Sequence, residues 1–213
     1  MSQRIAIIDY GMGNLHSVAK AIEHLMAPSD QVWVTNDAQL IQRADRIIFP
    51  GQGAARDCML AINKQVRETV LMAVREKPFL GICMGLQVLL DHSAENAGTD
   101  LLGVISGQVQ AFDKSQSING QTLKIPQMGW NQVQQQDTTH FLWKGIPNNS
   151  RFYFVHSYYV APKNQSLIAG TTNYGITFTS ALAYNNLFAV QFHPEKSAEL
   201  GLRLLKNFLH WNP

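Results

Sequence analysis

The apolar run Phe79-Leu80-Gly81-Ile82-Cys83 stops at a Gly81-x-Cys83-x-Gly85 turn, and Leu86 to Leu90 then read as the start of a helix. No other feature constrains the fold as strongly. A strand that turns at once into a helix puts the turning residue at the C-terminal edge of a sheet, where α/β sheets keep their active sites. The pattern is the cysteine counterpart of the Gly-x-Ser-x-Gly elbow. The glycines flank a strained backbone whose neighbours must lack Cβ atoms. The thiol also comes to lie at a helix N-terminus, whose partial positive charge favours the thiolate. Free cysteines are more commonly buried structural residues, so the elbow alone does not settle the chemistry.

A second segment adds to it. Leu187-Phe188-Ala189-Val190-Gln191-Phe192 reads as a strand running into His193-Pro194-Glu195. A thiol is a better nucleophile when an imidazole takes its proton, and the imidazole needs a carboxylate to fix its tautomer. Residues i and i+2 of an extended segment point the same way, and Pro194 favours an extended His193. One short segment therefore carries both base and orienter. A histidine at a strand end is more often structural; the elbow tips the reading to a Cys83, His193, Glu195 triad.

The remaining chain supplies an α/β frame. Strands are predicted at Arg4–Asp9, Val32–Thr35 and Arg46–Phe49. Helices are predicted at Ala38–Gln42, at Val66–Val74, and from Asn14 as cap through Leu15, Val18, Ala19, Ile22 and Leu25. This alternation calls for a parallel sheet covered by helices. Beyond residue 100 the pattern changes to short strands: Gly107–Ala111, Leu123–Ile125, Gln132–Gln134, Phe152–Val155, Leu167–Thr172, Thr177–Tyr184 and Leu187–Phe192. Asn185-Asn186 suits a tight hairpin, Ser115–Gln121 a polar loop or hairpin. Ser197 opens a last helix with Leu200, Leu204, Leu205 and Phe208 on one face. The expectation is one domain over 1–213, its C-terminal half partly antiparallel.

Several chemistries are excluded. Gly11-x-Gly13 and Gly51-x-Gly53 follow strands, but His16 and Arg56 stand where a dinucleotide fingerprint needs its third glycine. There is no phosphate loop, and the seven histidines show no metal-ligand spacing. Net charge is +2 with scattered Lys and Arg, which argues against nucleic acid. No apolar run is long enough for a membrane span. The start, Met1-Ser2-Gln3-Arg4-Ile5, lacks the regions of a signal peptide, and two cysteines make no disulfide framework, so a cytoplasmic location is expected.

Gly81-Ile82-Cys83-Met84-Gly85-Leu86-Gln87 with Gln191-Phe192-His193-Pro194-Glu195 resembles the triad-type (class I) glutamine amidotransferases. Three further segments narrow the resemblance to the glutaminase subunits of imidazole glycerol phosphate synthases. They are Asp9-Tyr10-Gly11-Met12-Gly13-Asn14, Pro126-Gln127-Met128-Gly129-Trp130-Asn131 and Lys196-Ser197. The resemblance implies a three-layer α/β fold, with a central, mostly parallel sheet flanked by helices and antiparallel strands in the C-terminal half. It implies hydrolysis of glutamine by Cys83, His193 and Glu195, with no cofactor and no metal. Oxyanion donors would come from Met84 and the loop Gly51, Gln52, Gly53; Gln52 departs from the family's usual Pro-Gly-Val-Gly. Gly53, Gln87, Ser157 and Tyr158 would line the glutamine site. Asn14, Gln127, Met128, Trp130 and Lys196 would face a (β/α)8-barrel cyclase, the heterodimer partner that consumes the ammonia.

Other readings stay open on sequence. One is a paralogous triad glutaminase serving another synthase, such as one that aminates a surface sugar. The glutaminase of pyridoxal phosphate synthase fits the Gly-Met-Gly-Asn and Met-Gly-Trp-Asn segments poorly. A non-catalytic regulatory module is disfavoured by a filled triad. The last is a cysteine hydrolase acting on peptides.

Overall fold

The structure is a computed structural model that describes residues 2–113, 115, 117–118 and 121–213. Its first half alternates strand and helix as predicted, with one additional helix, α3: β1 (Arg4–Ile8), α1 (Leu15–Leu25), β2 (Gln31–Thr35), α2 (Ala38–Arg43), β3 (Arg46–Gly51), α3 (Ala55–Gln65), α4 (Arg67–Glu76), β4 (Phe79–Cys83) and α5 (Met84–Gln87). The chain closes with α6 (Ala198–His210). The strands β2, β1, β3, β4 and Leu187–Val190 lie side by side in that order and are all parallel. The sheet then continues antiparallel through Ile176–Tyr184, Tyr158–Pro162 and Gly107–Ala111. One sheet thus runs through both halves of the chain.

Burial on both faces makes the central strands continuously apolar. In β1, Ile5 and Ile7 pack with Val18 and Ile22 of α1 and Leu204, Leu205 and Phe208 of α6. Ala6 and Ile8, pointing the other way, pack with Ile41 of α2, Met59 and Ile62 of α3 and Val70 of α4. Helix–sheet–helix layering follows from this alternation.

The structure departs from the sequence reading at definite places. The helix α3 was not foreseen, because its buried stripe is made partly of small and sulfur side chains, Ala55, Cys58, Met59 and Ile62. Leu123–Ile125 is not a strand: Leu123 is buried without a ladder partner among the described residues, and the next strand starts at Gln127, after Pro126, which has no N–H to give. The strand expected at Gln132–Gln134 spans Gln127–Gln135, and Tyr158–Pro162 adds a further strand. Asn14 and Ser197 precede α1 and α6, yet neither side chain makes a capping bond. The Asn185-Asn186 hairpin is present, with Tyr184 opposite Leu187 and Asn185 at φ 51°. Ser117–Ile118 pairs antiparallel with Gln121–Thr122; the other residues of the expected loop, Gln116, Asn119 and Gly120, lie outside the described residues.

Candidate active site

Cys83 ends β4 opposite Gly51, the last residue of β3. Its backbone is strained, at φ 56° and ψ −109°, a conformation that costs a non-glycine residue about 1–3 kcal/mol. The flanking glycines serve close approach. A Cβ on Gly85 would stand 1.8 Å from the Phe49 carbonyl oxygen, and one on Gly81 would stand 2.8 Å from the Gly85 carbonyl oxygen. The turn is therefore pressed onto β3, which holds the thiol over the sheet edge. Gly85→Ala is expected to displace the turn and cost about 3 kcal/mol or more, since both colliding atoms are backbone. Thermal unfolding that matches the parent within experimental scatter would refute this.

The helix after the elbow is shorter than predicted. It ends at Gln87, and Leu86 and Val88 to Leu90 are fully buried, so their apolar run marks burial on all sides rather than one helix face. Four residues generate little macrodipole. The positive partner at the sulfur is instead the neighbouring histidine.

That histidine arrives on the strand at Leu187–Val190, parallel to β4, with Val190 opposite Ile82. His193 Nδ1 lies 2.8 Å from Glu195 Oε1 across Pro194, and both side chains are buried. Nδ1–H therefore donates to the carboxylate, and Nε2 is left facing inward without a regular hydrogen bond. Burial pushes the imidazole down. Charge on Cys83 and then Glu195 outweigh burial and raise it to about 10. A charged sulfur and the Glu195 carboxylate thus favour the protonated ring over the neutral one.

Around the sulfur lies a pocket of ≈ 300 Å³ lined by Gln52, Gly53, Met84, Gln87, Ser157, Tyr158 and Lys196 together with Cys83 and His193. The Gln52 carbonyl accepts from the Cys58 thiol at 3.4 Å, so the Gly53 N–H, trans to it in the same peptide, points away from Cys58. Burial pushes Cys58 up to about 12, which keeps it a protonated donor. Gln87 is buried, not on a helix surface. Its amide nitrogen donates to the Tyr158 carbonyl at 3.1 Å and to Gln191 Oε1 at 2.9 Å, which leaves its oxygen for a ligand.

Two wall residues were invisible to the sequence reading. Glu95 gives one carboxylate oxygen to the Ala55 N–H at the start of α3, 2.7 Å away, and lines the pocket from a loop without a recognisable motif. His156 is buried and pushed down to about 4, chiefly by burial. Its Nδ1 lies 2.8 Å from the Tyr158 carbonyl and its Nε2 3.0 Å from Gln127 Oε1. Both are acceptors and a neutral ring has one N–H, so with that proton on Nδ1 the Gln127 amide must rotate by half a turn to offer its N–H to Nε2.

Of the residues expected at a partner face, Met128 and Trp130 point outward from one side of their strand, 65% and 44% exposed. Lys196 is exposed at the pocket mouth, and Asn14 precedes α1, which packs beside the Pro194–Lys196 turn. Gln127 is the exception: only 3% exposed, it lies behind this face against His156 and offers a partner no free surface.

A family model described as glutamine amidotransferase class-I matches residues 6–211. The chain is 56% identical over 209 residues to the imidazole glycerol phosphate synthase subunit HisH of Hydrogenovibrio crunogenus, covering 98% of this chain and 96% of that protein. It is 55% identical to the subunit of the same name from Thiobacillus denitrificans, covering 100% and 93%. Among solved structures, PurLQS from Thermotoga maritima superposes with a TM-score of 0.71 at 16% identity, covering 99% of each chain. The glutaminase domain of Trypanosoma brucei CTPS with bound acivicin gives 0.63 at 19% identity, covering 100% of this chain and 96% of that one.

Proposed function

This chain belongs to the class-I glutamine amidotransferases, and we propose that within the family it is the glutaminase subunit of an imidazole glycerol phosphate synthase. The observation that carries the chemistry is the strained Cys83 beside a buried, charged His193 held by Glu195, in one open pocket. The finer assignment rests on relatives more than half identical over nearly the whole chain.

Glutamine enters with its side-chain amide over Cys83. The free oxygen of Glu95, the acidic group in the pocket wall, pairs with the substrate ammonium, and the Gln87 oxygen accepts a further hydrogen bond. The Cys83 sulfur attacks the amide carbon, and the carbonyl oxygen becomes an oxyanion. The Met84 N–H, unpaired by its place at a helix start, and the Gly53 N–H are the donors to that charge. His193 gives its proton to the nitrogen, the C–N bond breaks and ammonia leaves a thioester. The neutral imidazole then takes a proton from water, hydroxide adds to the thioester carbon, and collapse releases glutamate and the thiolate. Glu195 holds the ring through both steps.

Free ammonia in water becomes ammonium, which is no nucleophile, so delivery needs a closed path to the acceptor. A (β/α)8-barrel cyclase seated on the face carrying Met128, Trp130, Lys196 and Asn14 would provide it. That enzyme uses the ammonia to close an imidazole ring, yielding imidazole glycerol phosphate and an aminoimidazole carboxamide ribotide. Exposed Trp is a frequent interface anchor.

The test is glutamate production by the pure chain, alone and titrated with the cyclase and its nucleotide ligand. Low turnover alone and strong stimulation by this cyclase are expected. Stimulation by a different synthase only would point to a paralogue, and full activity of the isolated chain would remove partner dependence. Lys196→Ala is expected to shift the cyclase titration about tenfold to higher concentration, the loss of about 1.5 kcal/mol from a partly desolvated ion pair. Superimposable titrations would rule out a coupling role for Lys196.

A further inference from the structure

The triad contains an internal pair and an external gap. His193 and Glu195 are joined within one short turn, so their mutual geometry is local. Cys83 belongs to another segment, and the strand that carries His193 leaves the β4 ladder after Val190. Gln191 still donates its N–H to the Ser180 carbonyl at 2.9 Å and its amide N–H to Cys83 Sγ at 3.7 Å, but beyond it other contacts must set where the imidazole stands relative to the sulfur.

The contacts on the His193 backbone answer this. Its N–H donates to the Tyr153 carbonyl at 2.9 Å. Its carbonyl accepts from the Lys196 N–H at 3.0 Å, inside the turn, and from the Ser197 hydroxyl at 2.6 Å. The same hydroxyl accepts from the Tyr153 N–H at 2.9 Å. Tyr153 N–H, Ser197 Oγ–H, His193 C=O, His193 N–H and Tyr153 C=O form a closed ring between the triad turn and the strand Ser150–His156. Ser197 is 1% exposed and supplies the one side chain in that ring. It is also why this serine does not cap α6, the role its position predicts. Close packing pins the turn from the other side. A Cβ on Gly201 would stand 1.9 Å from the Pro194 carbonyl oxygen and 2.7 Å from Ser197 Cβ.

We propose that Ser197 is a positioning residue for the glutaminase reaction: its hydroxyl ties the His193 backbone to the strand Ser150–His156 and thereby sets the distance from the imidazole to Cys83. The inference rests on the triad reading above. Ser197 touches neither substrate nor sulfur and acts through His193 alone. Without its hydroxyl, the Tyr153 N–H loses its acceptor and the His193 carbonyl keeps only its bond within the turn. The turn can then tilt as a unit, with Glu195 moving along with His193.

The experiment uses the full chain with Ser197→Ala and Ser197→Cys, whose thiol is a weaker donor of similar shape. The probe is a chloroketone analogue of glutamine that alkylates Cys83, so no partner is needed. Titration of the His193 ring is followed in parallel by NMR. The titratable and charged groups around that ring are Cys83, Glu195, the neutral His156, and Glu95 and the exposed Lys196 in the pocket wall.

For Ser197→Ala, labelling is expected to slow between about tenfold and a hundredfold, the usual effect of a misplaced catalytic group. The His193 midpoint should fall below the parent's, because the sulfur that holds it up has moved off. Ser197→Cys should fall between the two in both readouts. Labelling and midpoint unchanged in both variants would overturn the proposal. So would a lower melting temperature with an unchanged midpoint, which is the signature of a merely structural serine. If the parent itself is not labelled at Cys83, the triad reading fails instead, so the two failures are distinguishable.

Discussion

Cys83→Ala is expected to abolish glutamine hydrolysis, a loss on the order of 10⁶ in turnover, by comparison with removal of the nucleophile from a serine triad. The reason is covalent: no other group in the pocket can form the thioester. The fold should survive, because alanine is smaller and the elbow's close contacts belong to Gly81 and Gly85. The other cysteine is an internal control. Cys58 is buried, donates to the Gln52 carbonyl, and is pushed up to about 12. A chloroketone analogue of glutamine should therefore label Cys83 in the parent chain and nothing in Cys83→Ala. Labelling of Cys58, or hydrolysis persisting in the variant, would remove Cys83 from the nucleophile's role.

Glu195→Gln is expected to have the next largest effect. The orienting acid of a serine triad is worth about 10⁴ in turnover. A thiolate needs less help from its base, so about 10²–10⁴ is expected here. Substrate affinity should change little, because the Glu195 side chain is fully buried and is not among the pocket-lining residues. The pH dependence carries a sign that can be checked. Glu195 is one of the groups that raise His193 to about 10, and it does so by favouring the charged ring. In the parent, the imidazolium that protonates the leaving ammonia persists through neutral pH, and activity falls as pH rises through about 10. Removing the carboxylate charge lowers the pH at which the ring loses its proton. The descending limb should then move toward neutrality in Glu195→Gln. A limb that stays in place, with a rate near the parent's, would mean that another group holds the imidazole.

The chemistry of the chain was legible locally. A nucleophile elbow is made by consecutive residues, so Gly81, Cys83 and Gly85 announce it. A base and its orienter two residues apart are likewise set by local geometry, though not the extended one expected: only His193 is extended, and the short 3₁₀ turn Pro194–Lys196 brings Glu195 Oε1 to 2.8 Å from His193 Nδ1. The alternating strands and helices of the first half were readable too, because a helix or strand face is recorded in the periodicity of its own side chains.

Tertiary structure decided the rest. Leu86 to Leu90 promised a helix, but periodicity cannot separate a helix face from burial on every side, and the helix stops at Gln87. Glu95 and His156 carry no motif; they belong to the pocket because separate segments deliver them there. Ser197 has the composition of a helix cap and instead binds the His193 backbone, since Tyr153, far away in sequence, brings a competing N–H within 2.9 Å. Gln127 sits in a motif that implies a partner surface and is turned inward by its bond to His156. Sequence by itself determined which atoms can react, because reactivity follows residue identity and near-neighbour geometry. Which side chains surround those atoms, and how the base is aimed at the sulfur, depended on contacts between distant segments, whose energies are written in no single stretch of the chain.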